Sequence, residues 1–569
     1  MKASSSSRGR CLQPSAGSAG RQRTKHVVPL LLGLLGCTGT IGEPSGLDPA
    51  VYSGKPDTDE HPKDPQDCSE SQLGAAAPLA RLTATEYRNT LRSLLPGLAI
   101  PELPLPADVV VEGFDNNARA QTPSAALIEQ YGASAEAVAD SVIANLSRVL
   151  PCTGGDPEAC ASTFIDAFVA RAYRRPLSAA ERTRYLGLFQ SAHDAYGFAP
   201  AIGMVVQAAL QSPHFLYRVE PSGLAPLDGY ALATRLSYFL WDDMPDEELL
   251  DAAAGGELAA RAGVEGQARR MLDDPKARAA VASLFAQWLR FDKMAAMPKS
   301  PALFPEWNAQ VASSARIGAE RFVARVFWDM DGSLDALLTD TGSFVDQHTA
   351  PLYGITDAMS GMTLVETNPQ QRSGILTQAG LLAAFAHETA DSPILRGVFV
   401  MDRLLCSAPP PPPPGVTGSI VETTENAGVA LTTRDRVALT HESGECAGCH
   451  RAIDGFGFGF SHYDAVGRWR ETENGVAVNA QGWIDNTRDA NGEFDGVVEL
   501  GTRLANSAQV SECASSQWYR YALGLGSAEV GRCNLAPITA AFADSGGSLK
   551  ELMIAIATSD AFRTHGAPE

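Results

Sequence analysis

Positive charge is in short supply in this 569-residue chain: 45 lysines and arginines stand against 66 aspartates and glutamates, for a net charge of −21. That balance argues against nucleic acid and against anionic membrane surfaces as partners. Aromatic residues are also sparse, at 7%. No apolar run is long enough to span a bilayer. No P-loop, H-E-x-x-H or Ser-His-Asp pattern is present, so nothing points to an NTPase, a metalloprotease or a serine hydrolase. No repeat of solenoid period stands out. There is no second C-x-x-C, so a four-ligand zinc site has only half its cysteines.

One short motif stands out against these absences. Residues 446–450 read Cys-Ala-Gly-Cys-His, the C-x-x-C-H pattern of covalent c-type haem attachment. Two thiols on one turn can each form a thioether to a haem vinyl group, and the following histidine is placed to ligate the iron. With 10 Cys and 10 His in the chain, about 0.003 accidental matches are expected. Cys446, Cys449 and His450 are therefore the candidate haem c residues. A redox disulfide with an incidental His450 is the plainer alternative.

The N-terminus supports export. Lys2, Arg8, Arg10, Arg21, Arg23 and Lys25 precede an apolar stretch from Val27 to Leu35, and no acid interrupts them. This is the layout of a secretory signal. Leu34-Leu35-Gly36-Cys37 resembles a bacterial lipobox, which makes Cys37 the candidate lipidated residue. Thr38 follows rather than Asp, so the expectation is an outer-membrane lipoprotein, facing the periplasm or the cell surface, that meets the membrane through its lipid alone. C-type haem is attached outside the cytoplasm, so leader and motif agree.

Export also permits disulfides. Setting aside Cys37 and the two motif thiols leaves Cys68, Cys152, Cys160, Cys406, Cys513 and Cys533 downstream. Six cysteines allow 15 connectivities. Cys152–Cys160 closes a short loop. Cys513–Cys533 lies within one C-terminal unit. Cys68–Cys406 follows by elimination.

Apolar spacing predicts a mainly α chain made of several small helical domains. Thr83 with Glu86, Ser178 with Glu181 and Ser548 with Glu551 read as capping boxes, and Asp228 as an N-cap. Residues 335–355 look irregular or briefly extended. Pro409 to Pro414 form a polyproline II spacer of roughly 19 Å.

Several segments resemble a large uncharacterised family, of the kind abundant in planctomycetes and myxobacteria, that strings together adjacent domains of unknown function. They are Arg81 to Tyr87, Ala172 to Leu177, Ala233 to Trp241, Ser392 to Val398 with the proline run, Cys446 to Asp454 continuing through Phe460 to Arg468, Tyr521 to Gly524, and Ser559 to Arg563. The resemblance covers nearly everything from Leu79 onward. It implies a cytochrome c-like haem segment among helical domains and implies no substrate. The chain departs from the family at Ser461-His462, where a Glu-Asn pair is usual. The resulting division is a signal peptide at 1–36, a flexible tether at 37–78, and helical domains at 79–150, 151–222 and 223–368. A cytochrome c-like haem-binding domain follows at 369–480 with its Pro-rich spacer, and a C-terminal helical domain at 490–569.

The distal iron ligand stays open at this point. His387, His441, His462, Met401 and Met553 are candidates, and a methionine would raise the potential relative to a second histidine. His441 is favoured for its place on the helix entering the motif, either as distal ligand or as a hydrogen-bonding neighbour on the proximal side. Gly455 to Phe460 reads as close-packed backbone with aromatic rings against the porphyrin, not as a nucleotide loop. Arg451, Arg468 and Arg470 are candidates for the haem propionates. Asp485, Asp489, Asn491 and Asp495 miss the calcium-loop spacing, as does Asp329 to Gly332, so no calcium site is expected. The leading functional reading is electron transfer by an exported haem c lipoprotein, as a subunit of an extracytoplasmic oxidoreductase with an unidentified redox partner. The alternatives are a non-haem binding or scaffold lipoprotein with structural disulfides, and a haem peroxidase-like enzyme.

Overall fold

Local hydrogen bonding starts the helices where the sequence says it should. At Ala84–Leu94, the Thr83 hydroxyl accepts from the Glu86 amide at 3.1 Å, and the Glu86 carboxylate accepts from the Thr83 amide at 2.7 Å. Ser178 and Glu181 repeat the box at Ala179–Tyr196. Asp228 caps Gly229–Trp241 through the Ala231 amide at 2.8 Å. At Leu549–Thr558 only half the box forms. Ser548 accepts from the Glu551 amide, but the Glu551 carboxylate reaches Arg269 instead, at 2.7 and 2.8 Å.

The computed structural model describes residues 79–152, 156–220, 226–295, 298–357, 359–410, 430–441 and 447–564. The expected leader and tether, Cys37, Cys68, Cys446 and most of the polyproline run lie outside these residues. Among the described residues the fold is mainly α, and strands occur only as four antiparallel pairs. One pair, Ala80–Arg81 with Tyr217–Arg218, ties the first described residues to the end of the second helical segment. Residues 335–355 combine a helix, Leu334–Thr339, with a strand, Gly342–Val345, that pairs with Thr363–Glu366. No described helix is long and apolar enough to cross a membrane.

Two cores carry most of the packing. Leu82, Tyr87, Val138, Phe164, Val205 and Phe215 belong to one, which the helices of 79–150 and 151–222 share. Leu236, Trp288, Phe327, Phe456, Trp518 and Leu552 belong to the other, which draws on three successive segments. Segments as short as 79–150 and 151–222, about seventy residues each, bury little apolar surface alone, so a common core is the economical solution.

Buried arginines join segments distant in sequence. Arg235 donates to the Phe562 carbonyl at 2.6 Å and pairs with Glu220. Arg372 reaches the carbonyls of Thr377, Leu352 and Gly467 at 2.6 to 2.8 Å, with its guanidinium over the rings of Tyr353 and Tyr463. Arg396 donates to Phe460, Tyr463, Leu382 and Asp464 carbonyls. Each supplies donors to carbonyls that the irregular chain leaves without helical partners.

The cysteine framework differs in part from expectation. Cys152 and Cys160 are joined, with Cα atoms 5.8 Å apart. The second disulfide joins Cys406 to Cys513, with Cα atoms 5.4 Å apart. This corrects both the Cys513–Cys533 and the Cys68–Cys406 pairings. Cys513 lies near the start of the helix Ala508–Leu523, and Cys533 near the start of the next, Arg532–Asp544. The turn between these packed helices puts the two thiols about 15 Å apart along the axis, at 1.5 Å per residue. Cys406 instead follows a π-helical turn, Val400–Leu404, that rests on the first of these helices. Cys533 is disulfide-bonded as well.

Candidate haem-attachment site

The site is built by two helices, Thr433–His441 and Ala447–Phe458. The first is anchored at its start, where the Thr432 hydroxyl and the Asp435 carboxylate exchange bonds with each other's amides at 3.1 and 2.8 Å. It delivers His441 in its last turn. The second begins exposed at Gly448 and Cys449 and becomes buried from Ile453 onward.

Glycines set the depth of that second helix. A Cβ on Gly457 would clash with the backbone of Pro393, and one on Gly459 would come within 2.6 Å of the Phe494 ring. A Cβ on Gly455 would lie 2.7 Å from the Trp483 indole nitrogen. The Gly-Phe run is therefore close-packed backbone. It is helical to Phe458, and Phe456, Phe458 and Phe460 are buried.

Three titratable side chains converge beside the motif. His441 Nδ1 lies 2.8 Å from Asp454 Oδ2. His450 Nδ1 faces the other carboxylate oxygen, Oδ1, at 3.7 Å. The two imidazoles stack with centroids 3.6 Å apart and planes 30° from parallel. Asp454 is 5% exposed, His441 11% and His450 26%. His450 Nδ1 and Asp454 Oδ1 are buried and neither has a hydrogen-bond partner. Burial pushes the Asp454 carboxyl up to about 7, with His450 acting against that rise. Burial lowers both histidines, and His441 lowers His450 further.

The residues fit a covalent haem. Cys449 is a free, exposed thiol on the first turn of the helix. His450 follows it and directs Nδ1 toward Asp454, so its Nε2 is the nitrogen left for iron. Cys446 lies outside the described residues. The stacked rings put His441 alongside His450. Two histidines on opposite sides of one iron would point their nitrogens at each other across it. This geometry favours the proximal, hydrogen-bonding role for His441 over the distal one.

The remaining candidates have other partners. His462 Nδ1 contacts the Arg470 carbonyl at 2.8 Å, and its ring stacks on Trp469. Met553 is sealed in the large core, and Met401 packs against it. His387 differs: its side chain is exposed, and the bond it makes to the Ala390 carbonyl comes from its backbone amide. Arg468 pairs with Glu306 and Asp464, and Arg470 with Asp391 and Glu473. Arg451, paired with Asp485, is the most exposed of the three, at 71%. Asp454 is the residue that sequence reasoning passed over. Its i, i+4 spacing from His450 was the available signal, since such pairs share a helix face.

Five stretches of the chain match family models, each described as a protein of unknown function. They are residues 80–144 (DUF1587), 160–220 (DUF1595), 227–355 (DUF1592), 372–473 (DUF1588) and 491–562 (DUF1585). The chain is an array of five adjacent domains of unknown function. In this five-domain protein the His441–Asp454–His450 cluster and Cys449 fall inside the 372–473 match. No curated protein and no solved structure matches the chain.

Proposed function

We propose that the protein is an exported c-type haem lipoprotein that passes electrons outside the cytoplasm, as a subunit of an oxidoreductase. The observation that carries this reading is the free, exposed Cys449 on the turn beside His450, within Cys-Ala-Gly-Cys-His. Cys446 and Cys449 would hold the porphyrin through thioethers, and His450 would ligate iron through Nε2. Bound haem supplies a one-electron couple. The chain's part is to hold His450 on a helix pinned by close glycine contacts, with its partly exposed edge open to a redox partner.

The leader and the Leu34-Leu35-Gly36-Cys37 stretch support export and lipid anchoring at the outer membrane through Cys37. The acidic chain suits a basic redox partner. The test is expression with haem-maturation machinery, followed by a haem stain after SDS denaturation. Stain in the wild type, lost in Cys446→Ser/Cys449→Ser, is the expected result. A wild-type protein without stain or Soret absorption would overturn the reading.

A further inference from the structure

We infer that Asp454 is a shared positioning residue: its two carboxylate oxygens divide between His441 and His450, and that division sets the potential of an iron bound at His450. The inference rests on the haem reading and deepens it. Oδ2 already shares a hydrogen bond with His441 Nδ1 at 2.8 Å. Oδ1 and His450 Nδ1 are both buried, both without partners, and 3.7 Å apart. Two orphaned polar atoms facing each other are an unfinished hydrogen bond. An iron-bound histidine completes it, because ligation at Nε2 fixes the proton on Nδ1. A metal-ligating histidine ordinarily donates that proton to an outer carboxylate or carbonyl, which makes the ring a stronger donor. A stronger donor favours ferric over ferrous iron.

His441 enters as a competitor. Its hydrogen bond draws on the same carboxylate, and its ring lies against His450. Removing the carboxylate and removing the competitor therefore have opposite effects on the iron. Asp454 acts through His450 and touches neither haem nor partner in this account.

The experiment uses the full-length, haem-loaded protein and reads two quantities, the haem stain after denaturation and the midpoint potential by spectroelectrochemistry. Asp454→Asn retains covalent haem and shifts the ferric/ferrous ratio about tenfold toward ferrous at fixed potential, a rise of about 59 mV for a one-electron couple. His441→Phe, which leaves the carboxylate to His450 alone, lowers the potential. If Asp454→Asn fails to fold, the sign of the His441→Phe shift still decides. Covalent haem with unchanged potentials, or both variants moving the same way, overturns this inference and leaves the haem reading intact. A wild-type protein without covalent haem overturns both.

Discussion

Gly397 meets Ile453 backbone to backbone, leaving no room for a Cβ against the Ile453 carbonyl oxygen. This contact presses the short helix Pro393–Phe399 onto the helix that carries Cys449 and His450. Gly397→Ala must push these helices apart. We expect a loss of about 1–3 kcal/mol, seen as a lower midpoint in thermal unfolding. Gly448→Ala is the control, because nothing lies within 4 Å of its Cβ position. It should be neutral or slightly stabilising, since alanine is the better helix former.

The Cys406–Cys513 disulfide closes a loop with a sequence separation of 107. Cross-links over such distances restrict the unfolded chain strongly, and their loss costs about 2–5 kcal/mol. Cys406→Ala/Cys513→Ala should lower the denaturation midpoint under oxidising conditions. Under strong reductant the difference from wild type should vanish.

Arg396 illustrates what a buried cation does here. Its guanidinium serves four carbonyls at 2.8 to 3.3 Å, and burial lowers its pKa to about 10. Arg396→Met keeps much of the volume and removes every donor. Losing these donors in a buried site should cost about 3 kcal/mol, measured by urea unfolding with tryptophan fluorescence.

Stability should also depend on pH through Asp115. Burial, with Glu86 and Asp108 nearby, pushes its carboxyl from 3.8 up to about 6. A raised acid favours the protonated folded state. Its contribution is fully present below pH 4 and is lost as pH rises through 6. Asp115→Asn removes that loss. At pH 7.5 the variant should be more stable than wild type by up to about 3 kcal/mol, and near pH 4 the two should converge. Equal differences at both pH values would contradict the assignment.

Helix starts were readable because capping is local: Thr83 with Glu86, Ser178 with Glu181, and Asp228 need only three residues each. Glu551 broke its box because Arg269, distant in sequence, offered a better partner. The same distance hid the Cys406–Cys513 pair. Nothing in the sequence marks Arg235, Arg372 and Arg396 as buried, since arginine is mostly exposed. Their role depends on carbonyls brought together only by the fold. At the site, Cys449 and His450 were legible from spacing, whereas Asp454 lay unread one helical turn beyond His450. Its role emerges when the 433–441 helix brings His441 to its other oxygen.

The central claim is that Cys446-Ala-Gly-Cys-His450 holds a covalent haem. The most direct measurement is the visible spectrum of the purified full-length protein, oxidised and reduced, repeated after denaturation and acid–acetone extraction. The account predicts a Soret band that sharpens and shifts on reduction and stays with the polypeptide through extraction. Colourless protein, or haem that leaves with the solvent, would contradict it.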